Sequence, residues 1–437
     1  MRAAARLLPL VVAALALGAC EREPTLSGER LDLRDGRPLA AADLPAGARA
    51  FSPPPAVNHS AWTHTNGTPR HAIQHPALSP VPVPVWSTPF GAGDSRGNRI
   101  TASPVAAGGL IYMLDARAGV AALDARTGAP LWRRDLTPPA DAPSDGSGGG
   151  LALGGGRLFV TSGFGTLTAL DASTGATAWT QRLGGAATGA PTVEGGTVYA
   201  VSRDGQGWAV DAGTGRVRWR VDGATDASGV TGPAGPATTD ALVLFPFGAG
   251  DLGAAAKDEC AVRWTALVAG GRLGAAYGGI TDITGAVVTD GPRVYAGNAS
   301  GRIVALDGED GTRLWTARDG AVGPVWPASG SVFAVTDAGT AVRLDAATGR
   351  PIWTVRLPYF ADPRPRRRQA IVAHYGPVLA GGRLWIAGSD GALRGLDPAT
   401  GALVARIPVP AGAASAPVVV DGVLYVAGQD GRLHAYR

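Results

Sequence analysis

A ten-residue phrase, Leu-Asp-x-x-Thr-Gly-x-x-x-Trp, recurs along this chain and constrains its fold more than any other feature. It reads LDARTGAPLW from Leu123, LDASTGATAW from Leu170, VDAGTGRVRW from Val210, LDGEDGTRLW from Leu306 and LDAATGRPIW from Leu344. A further copy, LDPATGALVA from Leu396, lacks the tryptophan. The aspartate suits a capped turn, its carboxylate accepting backbone N–H groups two residues on, and the glycine supplies the positive φ that a tight hairpin needs. Tryptophan then falls on the following strand. Each phrase is preceded by an alternating run such as Leu167-Thr168-Ala169-Leu170, and before that by a second hairpin signal, as at Ser300-Gly301 and Asp390-Gly391. One unit is therefore about four short strands.

The motif aspartates, Asp124, Asp171, Asp211, Asp307, Asp345 and Asp397, are spaced 47, 40, 96, 38 and 52 residues apart. The interval of 96 holds two units, because Leu242-Val243-Leu244-Phe245 and a late Trp264 mark a degenerate one inside it. The residues before the C-terminal Arg437, GRLHAY, align with GRIVAL before Asp307, which makes eight units with a mean period of about 45. Four strands at that period predict an all-β fold, an eight-bladed β-propeller of four-stranded blades. The last unit stops after three strands. Val81 to Trp86, VPVPVW, is expected to close the ring as the outer strand of the eighth blade. Pro82 and Pro84 suit an edge, where alternate N–H groups face solvent, and Pro130 and Pro351 stand in the same strand of other blades. The composition agrees: 65 glycines and 34 prolines among 437 residues leave little room for long helices.

The N-terminus reads as an address. Arg2 and Arg6 precede the apolar stretch from Leu7 to Leu17, too short to span a bilayer of about 30 Å. Leu17-Gly18-Ala19-Cys20 is similar to a lipoprotein lipobox, which makes residues 1–19 a signal peptide and Cys20 the lipidated first residue of the mature chain. Glu21, in place of Asp, favours the outer membrane, facing the periplasm. Residues 20–60, charged and Pro-rich, are expected to be a flexible tether, with the propeller over 61–437. Cys260 is then the one thiol left, expected as a small buried apolar residue with no disulfide partner. A net charge of +4 argues against a nucleic-acid partner.

The repeat resembles the PQQ-like eight-bladed propellers, a superfamily that holds quinoprotein dehydrogenases and the BamB family of outer-membrane assembly factors. Repeat, lipobox and the ending APVVVDGVLYVAGQDGRLHAYR from Ala416 together resemble the BamB family over about residues 58–437. That resemblance implies a non-enzymatic scaffold with no cofactor and no catalytic residue. Its partners would be BamA, through the periplasmic POTRA domains, and other subunits of the barrel-assembly complex, with unfolded outer-membrane proteins a further candidate. It also implies two docking loops. The first corresponds to Ser228-Gly229-Val230-Thr231, where the family's Arg is replaced by Thr231 and a Leu by Val230; the second to Asp282-Ile283-Thr284, which keeps only the first acid, Asp282. Residues 229–232 and 280–284 would then form the patch, with Val230, Thr231, Asp282 and Thr284 as its contacts.

Two other functions compete. A PQQ-dependent dehydrogenase would be expected to show adjacent cysteines or a C-x-x-C-H haem site, and neither occurs. A glycan-binding or other ligand-binding propeller would need an aromatic platform, for which Trp208, Trp326 and Trp385 stand outside the motif position. His59, His64, His71 and His75 could ligate metal only if they converged on one ion; an ordered lead-in packed on the propeller is the expectation. The insertion YFADPRPRRR carries Arg364, Arg366, Arg367 and Arg368, suited to an acidic protein surface or anionic lipid heads.

Overall fold

The computed structural model describes residues 49–225, 234–271 and 279–437. The signal peptide, Cys20 and the loop carrying Val230 and Thr231 lie outside the described residues. The strands form eight four-stranded antiparallel sheets, seven of them consecutive in sequence. Blades 1 to 7 span 105–135, 149–182, 192–222, 237–267, 283–317, 326–356 and 374–408. The degenerate unit is blade 4, in the interval where the spacing required it. Blade 8 combines Val418–Val420, Val423–Ala427 and Arg432–Tyr436 with Pro84–Pro89 on its outer edge.

The closing strand pairs antiparallel with Arg432–Tyr436, and Val83 exchanges backbone hydrogen bonds of 2.8 Å with Arg437. It begins at Pro84 rather than Val81. Val83 gives its N–H to the Arg437 carbonyl, so the backbone nitrogens of Pro82 and Pro84 point away from the ladder, where a missing donor costs nothing and a proline blunts unwanted pairing. Every outer strand also carries a bulge just before the tryptophan position, as between Ala122 and Leu123 of blade 1. Such kinks twist exposed edges away from further strands.

Between blades, apolar faces pack sheet on sheet. Tyr112, Leu114 and Val120 of blade 1 meet Leu151, Val160 and Leu170 of blade 2. The repeated phrase builds the outer part of each contact. In its turn the aspartate caps N–H groups two and three residues on, as Asp171 does for Ser173 at 3.1 Å and Thr174 at 2.9 Å. The Ser173 and Thr174 hydroxyls, with those N–H groups, hold the Asp171 carboxyl at about 2. The tryptophan of the preceding blade then lies over the turn's glycine and donates Nε1–H to a turn carbonyl: Trp132 to Ala172 at 3.0 Å, Trp179 to Ala212 at 3.1 Å, Trp353 to Pro398 at 3.1 Å. Trp86 of the closing strand does the same to Arg126 at 3.1 Å, so the ring is sealed by the contact used between its other blades.

This docking explains two sequence irregularities. Blade 8 has no turn between its third and fourth strands, because its fourth strand, Pro84–Pro89, comes from the N-terminal side of blade 1. Blade 7 therefore has no turn to receive a tryptophan and carries Ala405 in that register. In blade 4 the phrase has decayed to AAKDECAVRW, and Cys260 stands where the glycine would be. The expectation that Cys260 is buried is corrected: it is exposed, its thiol against the Arg220 carbonyl. A turn at the blade rim has solvent on its outer side, whatever the polarity of the residue placed there.

Gly175 tests the docking directly. Its φ is +70° and a Cβ there would lie 2.6 Å from the Trp132 ring, whereas Gly156, with φ +73°, has open space around it. Gly175→Val should cost roughly 2–4 kcal/mol through backbone strain and overpacking together. Gly156→Ala should cost only about 1 kcal/mol. Urea midpoints of the two variants measure the difference.

Candidate functional site: the central channel and its loop face

Strand alternation gives the ring two unlike faces. Turns between strands 1 and 2, and between 3 and 4, lie on one; turns between strands 2 and 3 and the connections between blades lie on the other. The loops at 280–284 and 359–371 belong to the second, the loop face.

The first face is closed by the chain's own N-terminal segment. Trp62 exchanges backbone hydrogen bonds with Ala106 of blade 1, at 2.7 and 2.8 Å. Leu153 of blade 2, Thr238 of blade 4, Thr289 of blade 5 and Asp421 of blade 8 give N–H groups to the carbonyls of Thr63, Pro69, Arg70 and His59. His64 Nε2 accepts from Val193 N of blade 3 at 3.0 Å, Asn66 donates to the Val325 carbonyl beside blade 6, and His75 Nε2 accepts from Gly382 N of blade 7 at 2.9 Å. Residues 57–77 thus touch all eight blades and act as a plug. The histidines behave as an ordered lead-in: His64, His71 and His75 are buried, each bonded to backbone. Burial holds His64 down at about 3 and His71 at about 4, so both are neutral.

Residues 49–60, assigned to the tether on composition, are already packed. Arg49 pairs with Asp345 of blade 6, and Phe51 meets Phe333 edge-on at 5.2 Å. Arg343 is buried in a register held elsewhere by alanine or glycine, and donates to the carbonyls of Arg49 at 2.8 Å and Ala50 at 3.2 Å. One arginine in a row of alanines was the signal that something beyond the repeat docks there.

Above the plug, the channel is a pit of about 510 Å³ with its floor at His64 and Thr65. Among the described residues its lining holds one carboxylate, Asp94, engaged by Ile100 N at 2.8 Å and Arg99 at 3.3 Å, and one large aromatic ring, Tyr375. Trp208, Trp326 and Trp385 are buried in the blades, at 4%, 3% and 0% exposure, and offer no platform.

The candidate docking residues differ in placement. Asp282, only 4% exposed, lines a small cavity with Thr188, Arg203 and Phe247, so its carboxylate is turned inward. Thr284 donates its hydroxyl to the Ala321 carbonyl at 2.7 Å, toward blade 6. The insertion at 359–371 is a short hairpin, Phe360 bridging Ile371 at its base. Arg364 is paired with Asp362 and Arg368 lies 5.1 Å over Phe360, while Arg366 and Arg367 extend into solvent.

Residues 116–355 and 361–437 match the family model described as "Outer membrane protein assembly factor BamB". The chain belongs to the BamB family. The outer membrane protein assembly factor BamB of Yersinia pestis is 26% identical over 260 residues, 58% of this chain and 65% of that relative, so the match spans somewhat less than two thirds of the relative's length. Among solved structures, BamB from Moraxella catarrhalis superposes with a TM-score of 0.66 at 18% identity, covering 82% of this chain and all of that one. A europium-containing methanol dehydrogenase superposes with a TM-score of 0.64 at 14% identity, over 86% of this chain and 98% of its own. The propeller fold is thus shared by BamB and by dehydrogenases. In this BamB-family chain the described residues of the pit do not suit the metal and quinone of a PQQ-dependent dehydrogenase: their one carboxylate is already engaged, none is a tryptophan to stack on a planar cofactor, and no group of three His, Cys, Asp or Glu among the described residues could hold a metal.

Proposed function

We propose that this chain is a non-enzymatic scaffold lipoprotein of the β-barrel assembly machinery. The diacylglycerol on Cys20 holds it to the outer membrane, on the periplasmic side, and the propeller docks on the POTRA domains of BamA to assist folding and insertion of outer-membrane proteins. Membership of the BamB family is the observation that carries this reading; the lipobox and a pit without a cofactor's donor set agree with it.

Docking falls on the loop face beside blade 4, at residues 280–284, with residues 229–232, which precede blade 4 in sequence, as the other loop. With Asp282 buried, the contact of the second loop is made through its half-buried residues Ile280, Thr281 and Thr284. Ile280, half-buried at the start of the second loop, is its probe. Co-purification from solubilised envelopes should recover BamA with the wild-type protein. Ile280→Glu should lower that recovery roughly fivefold or more, the effect of losing an interface anchor, at an unchanged melting temperature. Failure of the wild type to retain BamA would overturn the reading. Replacing Cys20 by alanine should move the protein from the membrane fraction to the soluble periplasmic one, since several acyl chains on one residue supply the anchor.

A further inference from the structure

The rim of the ring is uneven. Five large apolar side chains, Val81, Val83 and Val85 on the closing segment and Leu403 and Val404 on the outer strand of blade 7, are between 48% and 59% exposed. Among the described residues no other pair of neighbouring blades carries as many along its outer edge. All five sit toward the first face, the one the plug closes. Leu403 and Val404 follow directly on the turn between the third and fourth strands of blade 7, and Val81 and Val83 run up to Pro84, which pairs with Tyr436 where the third strand of blade 8 ends. Apolar side chains gathered at one margin mark a contact with something outside the chain.

Two observations say what that is. A partner strand is poorly served here, because Pro82 and Pro84 have no N–H to offer along the edge and the bulge between Pro84 and Trp86 bends it away. A lipid surface asks for no backbone hydrogen bonds. The second observation is the place where the chain from Cys20 reaches the propeller. Arg49 pairs with Asp345 in the outer turn of blade 6, and Arg343 donates both to the Arg49 carbonyl and to the Ala399 carbonyl in the corresponding turn of blade 7. Residues 21–48 therefore join Cys20 to the first face at the seam of blades 6 and 7, on the same margin as Leu403 and Val404. Exposed cations complete that margin: Arg406, two residues beyond Val404, and Arg126, whose carbonyl receives Trp86 of the closing strand. The acids of the adjoining turns, Asp124 and Asp397, are engaged by N–H groups of those turns, from Thr127 at 2.7 Å and Thr400 at 2.8 Å.

We propose that the first-face margin of blades 7 and 8 rests on the phospholipid surface of the membrane that holds the anchor, its valines and Leu403 among the headgroups and Arg126 and Arg406 toward their phosphates. The inference builds on the lipid anchor at Cys20 proposed above. Apolar burial and attraction to anionic headgroups add in such a contact, and both act on a molecule already held at the surface, so a small area suffices. The contact also orients the propeller. Blade 4 stands across the ring from blade 8, so the loop at 280–284, on the other face, is turned from the membrane toward the periplasm.

Hydroxyl-radical footprinting tests it. The full mature chain carries Cys260→Ser, so that the Cys20 thiol is the single point of attachment; it is coupled through that thiol to a maleimide-bearing lipid in vesicles of phosphatidylethanolamine and phosphatidylglycerol, and compared with the uncoupled protein. Oxidation of Val81, Val83 and Leu403 should fall several-fold on coupling, while Val217 and Val262, exposed on the outer strands of blades 3 and 4, stay as reactive as before. Val83→Glu with Leu403→Glu, both at exposed positions, should restore the reactivity of Val81. Arg126→Glu with Arg406→Glu should weaken the protection most at low salt. Unchanged oxidation at Val81, Val83 and Leu403 overturns the proposal, as does protection shared equally by Val217 and Val262. Protection of the uncoupled protein on concentration alone would assign the margin to a second copy of the chain and overturn it too. Because the coupling supplies the anchor, these outcomes stand apart from natural lipidation, whose own test is the fractionation of the Cys20→Ala protein.

Discussion

Deleting residues 78–90 should leave a chain that melts at least about 10 °C lower or fails to fold, by circular dichroism. The deletion removes Pro84–Pro89, so Arg432–Tyr436 loses its outer partner and becomes an exposed edge. Trp86 goes with it, and with Trp86 the Nε1 bond to the Arg126 carbonyl, the cover over Gly128 and the 5.8 Å contact with Tyr425. The loss is larger than that of one buried aromatic, about 3–5 kcal/mol, because a whole strand and the seam between blades 8 and 1 disappear together. Against a typical total of 5–15 kcal/mol this is decisive. Trp132→Ala, which removes the equivalent ring from a blade whose chain is continuous, should cost less than the deletion. Equal losses would mean that closure contributes nothing beyond local packing.

Acidification should destabilise the propeller steeply below about pH 6.5, well before its carboxylates titrate. His64 and His71 lie in the plug, held at about 3 and about 4 by burial, the His64 ring further disfavoured by a charge on His71. Their folded values lie below the unfolded value of 6.5, so between those limits the unfolded chain binds protons that the folded chain refuses. Stability is fully present above 6.5 and falls as pH drops through the window, by roughly 1.4 kcal/mol per pH unit for each ring. From neutral pH down to about pH 5 the two together remove about 4 kcal/mol. The geometry gives the reason: His64 Nε2 already accepts from Val193 N, so a proton there breaks that bond and leaves a charge in the sealed end of the channel. Urea midpoints measured across this range follow the loss. His64→Gln, which retains a hydrogen-bonding side chain and cannot titrate, should remove about half of the slope; a wild-type stability flat from pH 7 to 5 would contradict the account.

Much of this molecule was legible in its one-dimensional pattern because a repeat reports its own packing. The aspartate, glycine and tryptophan of each phrase are needed for one local event, a turn that receives the ring of the blade before it, so their spacing carries the strand count, the blade count and the unpaired last blade. Even the missing tryptophan at Ala405 has its cause in that event. The candidate docking residues were less legible. Asp282 looks like a loop carboxylate in sequence, and only the fold turns it inward toward Arg203 and Phe247. Cys260 has an apolar side chain but occupies a rim turn, where position and not polarity decides exposure.

The sequence by itself determined the architecture: eight blades, their order, and a ring closed by an N-terminal strand, since each follows from short-range periodicity and from counting strands that must be paired. Tertiary structure alone decided what fills the ring. Residues 57–77 carry no period, and nothing local directs them to a particular blade. They become a plug only because the closed ring brings eight free strand edges around one axis, where hydrogen-bonding groups far apart in sequence converge on a single segment. The same convergence leaves the pit above it, a space that no run of consecutive residues encloses.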